Sequence, residues 1–167
     1  LGAVIEIPES GHVVLTGRLS AATHSWLNDH AVNGVVLFPG TGFVDLVIRA
    51  GDEVGHPVID ELTLQAPLVI PPTGVPIRVV VGAPGEGGDP EKRVVSVFSQ
   101  PGEDGSGWVC NAEAVVTAES ADTGTELTAW PPAGAAAVDV SDAYEQLAAK
   151  GYEYGPAFRG PRAAWRL

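Results

Sequence analysis

One apolar helical pattern followed by a run of extended, β-branched segments predicts an α+β fold, with a curled antiparallel sheet around a single enclosed helix: the hot-dog arrangement. Two observations carry it. Residues 41–55 take helical spacing with apolar side chains on most sides of the axis. The next four segments either alternate apolar with polar residues or are rich in valine and isoleucine. At 167 residues with 45% hydrophobic content, the chain can bury one real core.

The elements can be read in chain order. "HVVLTGRLS" (12–20) is β-branched and ends in polar residues, so it reads as a strand. "WLNDHAVNG" (26–34) carries Asn, Asp and Gly in turn-forming places and reads as a loop. After the short apolar run "VVLF" (35–38), Pro39-Gly40 breaks the chain and the helix begins at Thr41. Phe43, Val47 and Ala50 fall on one face, Val44 and Ile48 beside them and Leu46 on another, which predicts a helix covered on most sides. In "LTLQAPL" (62–68), Leu62, Leu64, Ala66 and Leu68 alternate as in a half-buried strand. "VPIRVVVGA" (75–83) and "KRVVSVFSQ" (92–100) are strands separated by the glycine-rich loop 84–91. Over 107–119 the alternation sends Trp108, Cys110, Ala112, Ala114 and Val116 one way and Val109, Asn111 and Glu113 the other.

Residues 1–118 thus read as one unit. Residues 119–140, rich in Ala, Thr, Gly and Pro and without a period, read as a linker. "SDAYEQLAAKG" (141–151) predicts a short helix with Ser141 as N-cap and Gly151 at its stop. Residues 152–167 read as a loop and the start of a strand, opening a second unit that they do not finish. A chain that holds no methionine is expected to be a piece of something longer.

Composition narrows function. A net charge of −12 argues against nucleic acid and anionic membranes, both of which attract basic surfaces. A lone cysteine excludes an internal disulfide framework and fits a reducing, cytoplasmic location. No run approaches the ~18 apolar residues of a membrane span, and no signal-like segment opens the chain. There is no Gly-x-Ser-x-Gly elbow, no Gly-Lys-Ser/Thr ending to the glycine-rich loop, and no His-Glu-x-x-His or paired Cys-x-x-Cys, so no metal is expected. Cys110, mid-strand, reads as a buried, inert thiol.

Of the four histidines, His12 and His56 read as structural, and His24 as little more. His30 differs in the company of the residues after it. Gly34 permits close backbone approach, and Pro39 fixes φ. Gly40 and Thr41 then present N–H groups at a helix N-terminus, which stabilises negative charge on a carbonyl oxygen. Two readings stand at this point: a tight turn into a buried helix, or a base beside an oxyanion-stabilising helix end, able to take a proton α to a thioester.

The spacing His30-x-x-x-Gly34-x-x-x-x-Pro39 resembles the signature motif of the dehydratase domains of modular (type I) polyketide synthases, and "LFPGTGF" continues it. "LG" at 1–2 resembles the end of their opening His-Pro-Leu-Leu-Gly, "ELTLQAPLVIP" (61–71) their second-strand region, and "YGPAFRG" (154–160) their Tyr-Gly-Pro-x-Phe motif. Asn111 departs from the pattern, standing where relatives often carry histidine; as an outward strand position it is expected to matter little.

The resemblance implies a double hot-dog with its active site between the units, of which this chain is the first half and the start of the second. It implies elimination of water from a β-hydroxyacyl group carried on the phosphopantetheine of an acyl carrier protein, with no cofactor of the domain's own. His30 would be the base, and an aspartate from the second unit the acid. No acidic residue here occupies that aspartate's place: Asp139, Asp142, Glu145 and Glu153 all precede "YGPAF". Substrate contacts are implied for Gly34, Pro39, Gly40, Thr41 and Tyr154, and Tyr154 and Phe158 also read as packing residues, as does Trp26. The implied partners are the carrier protein, the remaining half of the domain, other synthase domains and a second copy in a homodimer. One carboxyl short, residues 1–167 are expected not to complete the reaction alone. Double-bond migration, oxa-ring closure or a non-catalytic structural role are the competing readings.

Overall fold

The structure, a computed structural model, describes residues 1–102, 107–119 and 129–167. Six antiparallel strands form the main sheet, in the spatial order β1 (Ala3–Ile7), β2 (His12–Leu19), β6 (Val75–Val81), β7 (Lys92–Ser99), β8 (Val109–Thr117) and β5 (Val58–Leu64). The helix α1 (Gly40–Asp52) packs against β5, β6, β7 and β8, so the sheet curls around it as the hot-dog pattern requires.

The core lies between them. Inward residues of β6 and β7, including Val79, Val81, Val95 and Val97, are fully buried with Leu15 of β2, Val116 of β8 and Val47 of α1. Burial of such side chains is worth roughly 1.5–3 kcal/mol each, which makes this face the main source of stability. Helix α1 is covered on one face only: Phe43, Val47, Ala50 and Gly51 are buried, whereas Val44 and Ile48 are exposed. The expectation of cover on most sides is corrected accordingly, since the sheet reaches one flank of the helix and no described residue buries the other.

Three strand assignments also differ from the sequence pattern. β1 lacks a predicted counterpart; all its residues are exposed, so no buried face imposes an alternation. β5 ends at Leu64, and residues 65–68 leave the ladder, because the N–H groups of Gln65 and Ala66 both turn to the Asn111 carbonyl (2.8 and 3.3 Å) and Pro67 has none to offer. In β8 the register shifts opposite Val97 and Phe98, whose partners are Ala112 and Cys110. Asn111 is the extra residue of that bulge, and it is buried rather than outward.

Residues 26–34, expected as a loop, form a 3-10 turn (Ser25–Asp29) and then β3 (His30–Val32), which pairs with β4 (Val35–Val36). Within the expected linker, residues 120–128 lie outside the described residues, and β9 (Ala136–Val138) pairs with β11 (Ala164–Arg166). Helix α2 (Ala143–Ala149) begins later than expected: Asp142 holds the N-cap place, and the Ser141 N–H is taken by the Asp139 carboxylate at 2.9 Å. β10 (Tyr152–Tyr154) returns to pair with β3. Among the described residues, no helix is long and apolar enough to cross a membrane.

Val47 reports on this arrangement. Val47→Asp would bury an unpaired carboxylate against the sheet, and it is expected to remove several kcal/mol of the ~5–15 kcal/mol that stabilises a domain. Thermal unfolding of the complete domain checks this; an unchanged melting temperature would place the helix face at the surface.

Candidate active site

His30 heads β3, and its position is set by the β3–β4 hairpin. Asn33 and Gly34 occupy the two turn positions with φ of 48° and 76°, the left-handed pair that a two-residue hairpin needs. Apart from its chain neighbours, no atom of the described residues lies within 4 Å of where a Gly34 Cβ would stand, so within the described chain Gly34 serves the turn. The hairpin brings Leu37 back across His30. The Leu37 N–H donates to the His30 carbonyl at 3.1 Å, and the imidazole Nδ1 lies 2.9 Å from the Leu37 carbonyl. A carbonyl can only accept, so Nδ1 carries a proton, and in the neutral ring Nε2 is the nitrogen with the lone pair.

The next residues build the helix end. Pro39 is the N-cap of α1 with φ −73° and ψ 152°, and its carbonyl accepts the Gly42 N–H at 2.9 Å. The N–H groups of Gly40 and Thr41 lie in the first turn, where an α-helix offers no acceptor. Gly42 is needed for a different reason: a Cβ there would meet the Phe38 ring at 2.5 Å, and that ring packs edge-on against Phe43.

His30, Gly40 and Phe43 share a cavity of about 340 Å³ with Leu64, Pro67 and Leu68. Its far wall, residues 64–68, is held from both sides. The Phe38 N–H donates to the Leu68 carbonyl at 2.9 Å, and the Asn111 amide donates to the carbonyls of Ala66 and Pro67, each at 3.3 Å. Asn111, expected to matter little, therefore anchors the wall opposite His30. A larger depression of about 440 Å³ lies between β2 and the outer flank of α1, lined by His24 and by Gly42 of the first helical turn but not by His30 or Gly40. The smaller cavity is the one that brings His30 together with Gly40 at the start of α1.

Aromatic rings cover His30. Its ring centroid is 5.4 Å from Tyr154 and 5.0 Å from Phe158, and Trp26 lies 6.1 Å from Phe158. Of the residues singled out from sequence, His30 and Gly40 thus line the cavity, Tyr154 lies beside His30 with its ring tilted by 31°, Pro39 and Thr41 sit at the helix end, and Gly34 stands apart at the hairpin tip. The other histidines have local partners: His12 contacts Ser10 and Glu86, His24 contacts Thr23, and His56 contacts the Val54 carbonyl. Burial pushes the half-buried Cys110 thiol above its ordinary pKa, with the Glu113 charge adding to the effect, so it stays protonated. Among the described residues no group of three or more His, Cys, Asp or Glu side chains could hold a metal ion. Asp29 and the Leu37 carbonyl complete the site without any sequence signal, whereas Phe158 and residues 64–68 lie in stretches that the sequence singles out without assigning them this place.

In sequence and in fold the chain is similar to known proteins. Residues 1–100 match the family model "Polyketide synthase dehydratase domain", and residues 122–167 match "Polyketide synthase dehydratase N-terminal domain". The chain is 59% identical over 167 residues to the mycoketide-CoA synthase of Mycobacterium tuberculosis, covering 99% of this chain and 4% of that protein. It is also 59% identical to a protein of the same organism named a putative inactive phenolphthiocerol synthesis polyketide synthase, of which it covers 10%. Among solved structures, the dehydratase domain from the terminal module of the rifamycin polyketide synthase superposes with a TM-score of 0.89 at 48% identity, over 99% of this chain and 60% of that one. The chain thus spans a small part of the synthases and about three-fifths of that dehydratase-domain chain.

The hydrogen bond to Leu37 makes a direct forecast. Nitrogen-resolved NMR of the complete domain, with the imidazole neutral, is expected to show His30 in its Nδ1–H form. An Nε2–H tautomer would mean that the Leu37 carbonyl does not hold the ring.

Proposed function

The chain belongs to the polyketide synthase dehydratase family, and from that premise we propose that it carries the basic half of a site that dehydrates a β-hydroxyacyl thioester to its α,β-unsaturated product. The observation that supports this best is the His30–Leu37 pair. It leaves Nε2 as the basic nitrogen on a cavity shared with the N-terminus of α1.

In the proposed reaction, Nε2 of His30 removes the α-proton. The C–H electron pair forms the new double bond, and the β-hydroxyl departs as water once protonated. Charge that builds on the thioester oxygen is stabilised by the free N–H groups of Gly40 and Thr41 and by the helix dipole behind them. Leu64, Pro67 and Leu68 offer the acyl chain apolar surface, and Tyr154 and Phe158 pack beside the imidazole. The acid is proposed to be an aspartate from the remaining part of the domain, because no carboxylate of this chain lines the cavity among the described residues.

On the same reading the substrate arrives on the phosphopantetheine arm of an acyl carrier protein, no further cofactor enters the chemistry, and the domain works in the cytoplasm as a homodimer beside other synthase domains.

His30→Ala in the complete domain, assayed with a β-hydroxyacyl carrier-protein substrate, is expected to lower turnover by ~10²–10⁴-fold, the usual loss with a general base. Near-normal turnover would overturn the assignment.

A further inference from the structure

The contacts of Asp29 lead further than its place on a surface turn suggests. β10 pairs with β3 over only three residues, with Tyr154 opposite His30. At that point the ladder would end. Asp29 extends it: its carbonyl accepts the Gly155 N–H at 2.9 Å. Its carboxylate then accepts the Ala157 N–H, also at 2.9 Å, from a residue 128 positions later.

The second bond falls where a 3-10 turn (Pro156–Phe158) begins. Pro156 has no N–H, so Ala157 is the first residue of the turn with a donor to place, and the turn itself offers it no acceptor. An anionic acceptor suits that position. Asp29 therefore caps this turn from outside it, as a residue at the N-cap position would do within a continuous chain. The Phe158 N–H closes the turn onto the Gly155 carbonyl at 3.0 Å, which brings the Phe158 ring onto His30. The fit is close enough to need glycine at 155, because a Cβ there would collide with the Asp29 carboxylate.

We infer that Asp29 is a positioning residue for His30: its carbonyl and carboxylate clamp residues 155–157, so that Tyr154 and Phe158 are pressed against the imidazole from both sides of one turn. This role rests on the proposed function only in treating His30 as the working base. The clamp itself is a matter of geometry, with two bonds to nearby backbone donors and two rings on one imidazole. Without it, the aromatic cover would rest on three residues of strand pairing, the Trp26 ring beside Phe158, and the bonds that the Tyr144 hydroxyl and the Arg159 guanidinium donate to the Phe158 and Tyr154 carbonyls at 3.3 and 2.7 Å.

The test uses two perturbations of the complete domain from opposite sides of the clamp. Asp29→Ala removes the acceptor, and Gly155→Ala displaces it. In both, the ring-proton shifts of His30 are expected to change, because the two tilted rings 5.4 and 5.0 Å away move relative to it. With β-hydroxybutyryl carrier protein as substrate, kcat is expected to fall, by up to ~10²-fold if the ring shifts by about 1 Å, with KM changing less. Asp29→Asn keeps an oxygen that can accept from Ala157 and is expected to restore both the shifts and most of kcat. His30 resonances unchanged in both Asp29→Ala and Gly155→Ala would overturn the inference, whatever the rates. Since that readout needs no turnover, an active His30→Ala variant would sink the assignment of the base and leave the clamp standing.

Discussion

The reciprocal bonding of His30 and Leu37 is the constraint on which the rest of the site depends. One bond runs from backbone to backbone and the other from ring to backbone, across a seven-residue span closed by a two-residue turn. Together they settle three things: the ring's orientation, its tautomer, and the point at which the chain enters α1. Neither bond is individually strong, since each contributes on the order of 1 kcal/mol net. Their importance is geometric. Once Leu37 is fixed, Phe38 pairs with Leu68, Pro39 caps the helix, and the first turn of α1 borders the same cavity as the imidazole.

The parts of the fold that the sequence makes legible are those whose burial is dictated locally. Val75 to Val81 and Lys92 to Ser99 alternate buried and less buried residues along their length, because each strand has one face on the core. Helix α1 is legible for the same reason, and the antiparallel sheet around it is the one that the pattern predicts. β1 shows the converse: an edge strand with no buried face leaves no period to read. β3, β9 and β10 are too short for any period, and all three pair with strands outside their own segment, β3 with β10 across more than a hundred residues. Over 136–138 the pattern reads as linker because the partner strand lies at 164–166.

The site is legible in its central residues and not in their supports. His30, Pro39 and Gly40 carry chemistry that their types announce. Leu37 contributes a carbonyl, which no side-chain pattern can mark. Strict alternation misplaces Asn111 because it runs through a bulge; counting one extra residue turns it inward, where its amide finds two carbonyls while its Oδ1 has no partner among the described residues.

Two segments near His30, the cavity wall 64–68 and the turn that carries Phe158, answer one physical problem by the same means. Residues 64–68 and 155–158 both lie at or beyond the end of a strand, where backbone groups have lost their ladder partners. Each such donor or acceptor needs another partner, from a side chain or from water. In each place a short polar side chain from another element supplies what the ladder no longer does: Asn111 donates to the carbonyls at 66 and 67, and Asp29 accepts the N–H at 157. The chemistry of each captor matches the sign of what it captures, an amide for carbonyls and a carboxylate for an amide N–H. The sheet therefore supplies stability, while the geometry around His30 comes from irregular backbone that side chains have pinned. Irregular segments can bend around a substrate in a way that a strand cannot, and capture gives them the fixed shape that a positioned base requires.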